Sequence, residues 1–161
     1  MIKKIPLIIV FILISTQIFA DITGHVSKVI DADTVIVVDI SRVSHKVRLL
    51  GIDAPERRQY FGEDATQYLT AKVLNKNLTV IGSKKDRYNR LLGKLIHEGK
   101  DVNLDLVSSG MAWHYKKYQE SQELKDKFLY SNAEIFARKN KLGLWSAPSP
   151  IPPWDWRRNN K

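Results

Sequence analysis

Alternating apolar and polar positions in the chain after residue 20 predict a β-sheet. The segment from Ile22 to Val38 is rich in β-branched residues and is broken once, at residues 31–33, which predicts two strands around a short acidic turn. A third strand is predicted from His45 to Ile52, because Pro55 prevents regular structure from continuing far past Asp53. Three strands at such short spacing predict an antiparallel meander.

The period of the apolar positions then changes, which predicts helices inserted among further strands. Helical spacing predicts a helix from Gly62 to Lys76, and two more strands follow, from Asn77 to Ile81 and from Leu91 to His97. A short helix is expected from Val102 to Ser109. Five short strands with a helix after the third are typical of a five-stranded OB-fold β-barrel, which makes the expected fold class α+β.

The last part of the chain predicts a third α-helix and an irregular tail. The helix is expected from about Ser121 to Asn140, with four large apolar residues on its buried side: Leu124, Phe128, Ile135 and Phe136. The tail, residues 146–161, has four prolines among its first eight residues and is expected to contain no regular structure. We expect Trp154 and Trp156 to pin this tail to the barrel rather than to mark a partner site.

Residues 1–20 have the order of a secretory signal peptide. Two lysines precede an apolar run from Ile5 to Ile14, and a polar step then leads to Ala20. The run is shorter than the roughly twenty apolar residues that cross a bilayer. We expect cleavage after Ala20, with an uncleaved anchor as the alternative because Ile18 is larger than the usual residue there. The folded domain would then be residues 21–145, followed by the tail.

Charge and composition narrow the classes of function. Residues 21–161 carry 24 basic and 17 acidic side chains, a formal charge of +7, which favours polyanionic partners. The chain has no cysteine, so disulfides, thiolate zinc sites and thiol nucleophiles are excluded. Its four histidines lack zinc-ligand spacing. We expect a secreted or periplasmic monomer with no stable membrane association after cleavage.

The stretch from Arg48 to Glu56 concentrates chemical groups at the end of the third strand. One guanidinium and the carboxylates of Asp53 and Glu56 fall within nine residues. Asp33, at another strand end, can meet Asp53 in an antiparallel sheet, and acids that meet repel each other unless a cation separates them. Calcium accepts carboxylates, carbonyls and water, so this arrangement suits a metal-dependent phosphodiesterase.

Each feature also has a purely structural interpretation. An acidic turn more often reflects turn chemistry than metal binding. Arg48 in a strand more often faces solvent, and Arg90 has a partner within reach in Asp86. We expect Trp113 and Trp145 in the core rather than as platforms for bases.

Three blocks of sequence together resemble the staphylococcal nuclease (thermonuclease) family. They occur in the order and approximate spacing of that family and comprise residues 29–35 (VIDADTV), 47–56 (VRLLGIDAPE) and 86–90 (DRYNR). The resemblance extends from about Ile22 to Trp145. The ending Pro152–Arg157 also resembles that of exported bacterial members.

The resemblance implies a calcium site and a set of catalytic groups. The implied ligands of Ca²⁺ are the carboxylates of Asp33 and Asp53 and the backbone carbonyl of Ala54, where the type enzyme has a threonine. The implied catalytic residues are Glu56, as general base, and Arg48 and Arg90, which hold the scissile phosphate. The implied substrate-binding residues are Lys85, Tyr88, Tyr115 and Tyr118.

The resemblance implies a calcium-dependent endonuclease that acts on DNA and RNA with little sequence preference and leaves 3′-phosphate ends. Two other functions remain open. The first is a noncatalytic OB-fold nucleic-acid-binding module, although the acids and arginines that inactive relatives usually lose are present here. The second is a cationic envelope or surface protein whose charge is its function.

Overall fold

The computed structural model of the protein describes residues 21–160, and a closed β-barrel lies at its centre. The strands are β1 (Ile22–Asp31), β2 (Thr34–Asp39), β3 (Ser44–Leu49), β4 (Ile52–Asp53), β5 (Asn77–Lys85), β6 (Leu91–His97), β7 (Lys100–Asp101) and β8 (Trp113–His114). The helices are α1 (Gly62–Val73), α2 (Val102–Ser108), α3 (Leu124–Lys139) and α4 (Pro153–Asn159), with 3₁₀ turns at Lys116–Ser121 and Gly143–Ser146.

Five strands form the barrel, as predicted. Their order is β3-β2-β1-β5-β6 with antiparallel neighbours, and a parallel pairing of β3 with β6 closes the sheet. The closing pairs run from Val47 opposite Leu91 to Leu49 opposite Gly93. A β-carbon at Gly93 would lie 2.5 Å from a methyl group of Val80 in β5 and 3.2 Å from one of Val47 in β3, so glycine allows both neighbours to approach closely. The α+β class is therefore confirmed.

The core follows from the alternation of side chains along the strands. Val35 and Val37 of β2, which are two positions apart and so share a face, are fully buried. From outside the barrel, α1 adds Ala65, Leu69 and Val73, at the helical spacing expected from the sequence. Trp113 and Trp145 are also buried, as expected.

The predicted buried face of α3 is wrong. Its four apolar residues are each 57–67% exposed: Leu124, Phe128, Ile135 and Phe136. The helix instead buries Tyr130, Glu134 and Ala137. The Tyr130 hydroxyl donates to Asp101 at 2.9 and 3.1 Å, so a polar contact sets the rotation of the helix. Apolar spacing identified a helix, but not the face that packs.

The prediction that the tail lacks regular structure is also wrong, because residues 153–159 form α4. Pro153 stands at the start of the helix, where no backbone N–H is needed. Pinning by Trp154 is confirmed, since its ring stacks on Tyr115 at 5.3 Å and meets Trp113 edge-on at 5.5 Å. Trp156 lines a second cavity of about 130 Å³ beneath the tail.

The signal-peptide prediction concerns residues 1–20, which lie outside the described residues. In the described part of the chain, none of the helices is long and apolar enough to cross a bilayer.

Candidate active site

A tight turn after β3 creates the site. The predicted strand to Ile52 is interrupted at residues 50–51, where Gly51 has φ 79°, a left-handed conformation that favours glycine. A β-carbon there would also lie 2.2 Å from the amide nitrogen of Gln122. The turn brings Asp53 of β4 back against Arg48 of β3.

The structure brings Asp33 and Asp53 together around one arginine. Nη2 of Arg48 lies 2.9 Å from Oδ2 of Asp33 and 2.9 Å from Oδ1 of Asp53. Because both contact the same nitrogen, Oδ2 of Asp33 and Oδ1 of Asp53 are at most twice 2.9 Å apart. Asp53 is fully buried, and Asp33 also accepts the Ala54 N–H at 3.0 Å and the Thr34 hydroxyl at 3.0 Å.

The other terminal nitrogen of Arg48 is occupied by the backbone. Nη1 donates to the carbonyls of Leu49 at 3.1 Å and Ile52 at 3.0 Å. Both terminal nitrogens of this guanidinium therefore have partners within the protein. Arg48 must exchange some of these partners before it can grip a phosphate with its planar fork.

A cavity of about 570 Å³ opens beside this cluster, and we call it the site cavity. Eight of the ten residues predicted for the site line it: Asp33, Arg48, Ala54, Glu56, Tyr88, Arg90, Tyr115 and Tyr118. The two others are Asp53, which lies buried, and Lys85, an exposed residue at the end of β5 that is not part of the lining.

The loop between β5 and β6 presents Arg90 to the site cavity. The Asp86 carboxylate accepts the backbone N–H groups of Tyr88 and Arg90, and its other oxygen lies 2.7 Å from Nε and from Nη2 of Arg90. The structural pairing considered from sequence therefore exists. Arg90 nevertheless lines the cavity, and Tyr88 beside it is an exposed aromatic ring.

Aromatic rings, which we call the aromatic wall, form another part of the lining of the site cavity. Tyr115 and Tyr118 meet edge-on with their centroids 5.0 Å apart, and Trp154 supports the back of Tyr115. Burial raises the pKa of Tyr115, so its hydroxyl stays protonated at neutral pH.

The arginine of the tail is a site residue that sequence reasoning missed. Arg157 donates from Nη1 to Glu56 at 2.8 Å and to Asp53 at 3.2 Å, and from Nη2 to Asp53 at 2.7 Å. It also lines the site cavity. The only signal in the sequence was a basic residue after two tryptophans, and nothing there connects it with an aspartate 104 positions earlier.

Burial and the charge of neighbouring acids raise the pKa values of two aspartates around the cavity. Burial, together with the neighbouring Asp33 carboxylate, raises the pKa of Asp31 to about 6. Burial also raises the pKa of Asp53, and the bonds from Arg157 and the charge of Arg48 oppose that change. The cluster thus holds acids that favour a nearby positive charge.

The donor set fits a hard divalent cation. Asp33 and Asp53 contact the same nitrogen of Arg48, and both offer oxygen, the atom that Ca²⁺ and Mg²⁺ prefer. In residues 21–160 no three His, Asp or Glu side chains are grouped to hold a metal ion. A cation between the two aspartates would therefore need carbonyl and water oxygens as well, as the carbonyl of Ala54 would provide.

Comparison with known proteins agrees with this geometry. The family described as "Staphylococcal nuclease homologue" matches residues 46–147. An "Uncharacterized endonuclease" of Escherichia coli O157:H7 is 40% identical over 96% of this chain and 97% of its own length. A "Micrococcal nuclease" of Shigella flexneri is 36% identical over 94% of this chain and 90% of its own, and an "Uncharacterized endonuclease" of Haemophilus influenzae is 36% identical over 96% and 84%. The chain belongs to the staphylococcal nuclease family.

Proposed function

We propose that this nuclease is a calcium-dependent endonuclease that hydrolyses phosphodiester bonds in DNA and RNA and leaves 3′-phosphate ends. The observation that carries the proposal is the meeting of Asp33 and Asp53 at Arg48, on the wall of a cavity that Arg90 and Glu56 also line. Two acids, two arginines and a further carboxylate around one cavity are the groups that phosphodiester hydrolysis requires.

Arg48 and Arg90 are proposed to bind the scissile phosphate. As water adds, the phosphodiester gains negative charge, so donors must bind the transition state more tightly than the ground state. Arg48 and Arg90 supply planar forks that match phosphate oxygens and keep their charge at any working pH. Both arginines line the site cavity, as joint action on one phosphate requires.

Asp33, Asp53 and the carbonyl of Ala54 are the groups that would hold the cation. Calcium bound there would offset the charge of the acids and polarise the phosphate. Asp53 is already buried, so the cation would bind between carboxylates of Asp33 and Asp53 that the fold holds in place before the metal arrives.

Glu56 is the proposed general base. Its carboxylate is partly exposed on the site cavity, and its backbone N–H donates to the Gln59 side chain at 3.1 Å, which fixes the loop that carries it. It would take a proton from the attacking water as the bond from phosphorus to the 5′ oxygen breaks. The phosphate then remains on the 3′ side.

The aromatic wall supports the proposal of broad specificity. Tyr88, Tyr115 and Tyr118 offer rings on which any base can stack. Phosphate contacts position a strand without reading its sequence. We therefore propose weak sequence preference and faster cleavage of single-stranded or A·T-rich DNA, with Lys85 contacting a phosphate beyond the cavity.

Digestion of plasmid DNA tests the proposal and separates it from its rivals. We expect cleavage with Ca²⁺, no cleavage after addition of a chelator, and 3′-phosphate ends on the products. Asp33→Asn and Glu56→Gln should each abolish most of the activity with folding retained. Retarded plasmid without cleavage would instead identify a binding module, and cleavage that survives chelation would exclude a metal role.

We further propose that the protein acts outside the cytoplasm as a monomer, secreted or periplasmic, after loss of residues 1–20. Fractionation of expressing cells and mass measurement of the recovered protein test this. A full-length chain in the membrane fraction would favour the uncleaved anchor.

A further inference from the structure

The tail contributes an arginine from beyond residues 46–147, the segment that the family description matches. The match ends at residue 147, and Arg157 lies in α4. Its guanidinium bridges Asp53, a proposed metal ligand, and Glu56, the proposed general base. It therefore occupies the space between the two carboxylates on which the proposed function depends.

Its hydrogen bonds use most of the acceptor capacity of Asp53. Oδ1 accepts from both Arg48 and Arg157, and Oδ2 accepts from Arg157. An ionised carboxylate has about four lone-pair sites, so about one remains. A cation that binds Asp53 must compete with the guanidinium.

The tail is anchored so that Arg157 reaches this place. Pro153 is buried, Trp154 stacks on Tyr115, and the Gln59 side chain donates to the Ile151 carbonyl at 2.5 Å. Trp154 and Arg157 are three positions apart and so share a face of α4. The packing that holds the tryptophan against the barrel thus directs the arginine toward Asp53.

We propose that Arg157 is a positioning residue whose guanidinium, held between Asp53 and Glu56, competes with calcium for the Asp53 carboxylate and exchanges with it. The tail thereby sets the affinity of the site for metal. This inference rests on the proposed function, because it takes Asp53 to be a metal ligand. Without metal, the guanidinium compensates the two carboxylates; when metal binds, its bonds to Asp53 must be given up.

Titration calorimetry with Ca²⁺ and no nucleic acid tests the exchange. The proteins are wild type, Arg157→Gln, Arg157→Lys and the matched control Arg158→Gln. Arg158 is the next residue of the same helix and pairs with Asp155 at 3.1 Å, so its substitution removes the same charge from the tail without touching the two carboxylates. The apparent Ca²⁺ requirement for cleavage is measured in parallel.

We expect Arg157→Gln to bind Ca²⁺ about tenfold more tightly than wild type, since charge-assisted hydrogen bonds no longer oppose the ion. Arg157→Lys keeps the charge but loses the fork, so its affinity should be intermediate, and it carries the comparison if Arg157→Gln fails to fold. Arg158→Gln should resemble wild type. The Ca²⁺ concentration for half-maximal cleavage should fall in the same order.

Each of four results would overturn the inference. Equal Ca²⁺ affinity for all four proteins with a lower melting temperature in Arg157→Gln would indicate a purely structural arginine. Equal Ca²⁺ affinity with weaker oligonucleotide binding would indicate a phosphate contact. Absence of Ca²⁺ binding in every protein would reject the proposed function itself, whereas Ca²⁺-dependent cleavage with no difference between Arg157→Gln and Arg158→Gln rejects only the exchange.

Discussion

Arg48 and Asp53 form an ion pair that is almost completely buried. Both side chains therefore contribute to the stability of the fold as well as to the proposed chemistry. Removing one partner from a buried ion pair costs about 3–5 kcal/mol because the other charge is left uncompensated. Arg90, in contrast, is partly exposed and keeps Asp86 as a neighbour. The two arginines therefore differ in what their loss does to the fold, although we assign them the same phosphate.

Substituting each arginine by lysine should separate these contributions. Arg48→Lys and Arg90→Lys should each lower kcat by about two to three orders of magnitude, since an ammonium cannot match phosphate oxygens as a fork does. Only Arg48→Lys should also lower the free energy of unfolding, because three ammonium donors cannot serve the four acceptors of Arg48. Cleavage assays and urea denaturation measure both. Near-normal turnover would remove that arginine from the mechanism.

His114 should make stability depend on pH. It is buried, its Nε2 lies 2.9 Å from Oε1 of Gln122, and burial lowers its pKa although Glu134 raises it and Lys116 lowers it further. The unfolded chain therefore binds a proton more readily, so stability falls as pH drops through the ordinary histidine pKa toward the lowered one.

Urea denaturation between pH 7.5 and pH 5.5 measures this contribution. The loss of unfolding free energy on acidification should be smaller in His114→Gln than in wild type. His25→Gln, at an exposed histidine of β1, serves as control and should match wild type. An unchanged pH dependence in His114→Gln would show that this histidine does not titrate with unfolding.

At the scale of helices and strands, polar contacts determine which face of α3 is buried, and the pattern of apolar residues does not reveal them. The strands and α1 were predictable because apolar alternation and helical spacing agree with burial there. In α3 the period was visible, but Tyr130 and Glu134 bind partners on distant segments, Asp101 and Lys116, and so the helix turns an apolar stripe outward. In α4 the prolines obscured a helix that begins at the last of them, Pro153.

Matched substitutions in α3 test which face supports the fold. Phe128→Ser should change the free energy of unfolding by no more than about 0.5 kcal/mol, as for an exposed position. Tyr130→Phe should cost about 1–3 kcal/mol, because Asp101 loses its hydroxyl donor. Urea denaturation followed by tryptophan fluorescence measures both. A larger loss in Phe128→Ser than in Tyr130→Phe would reverse our assignment of the buried face.

At the scale of the whole molecule, excess positive charge and a closed barrel act together. The charge of +7 for residues 21–161 favours any polyanion, whereas the barrel fixes where the acids and arginines meet. The barrel and the meeting of Asp33 with Asp53 were predictable from sequence. The contact of Arg157 with Asp53 was not, because a contact between such distant residues depends on how the tail packs rather than on any local pattern.

The salt dependence of oligonucleotide binding should reveal which lysines contact the nucleic acid. Affinity for a single-stranded oligonucleotide, measured with a chelator to prevent cleavage, should fall as salt rises. Lys85→Gln should reduce the slope of log K against log salt by about 0.7, the contribution of one phosphate contact. Lys100→Gln, beyond the far end of β6 from Arg90, should leave the slope unchanged. Equal slopes for both variants would remove Lys85 from the binding path.

The parallel seam between β3 and β6 has a consequence for motion. Arg48 lies within the seam, Arg90 immediately precedes it, and the Leu49 N–H donates to the Asp33 carbonyl at 2.8 Å. Any fluctuation that separates β3 from β6 must also move Arg48 away from Arg90 and disturb Asp33. We therefore expect amide protons at the seam to exchange with deuterium only through global opening, so that the molecule has no half-open state in which the proposed catalytic groups remain assembled.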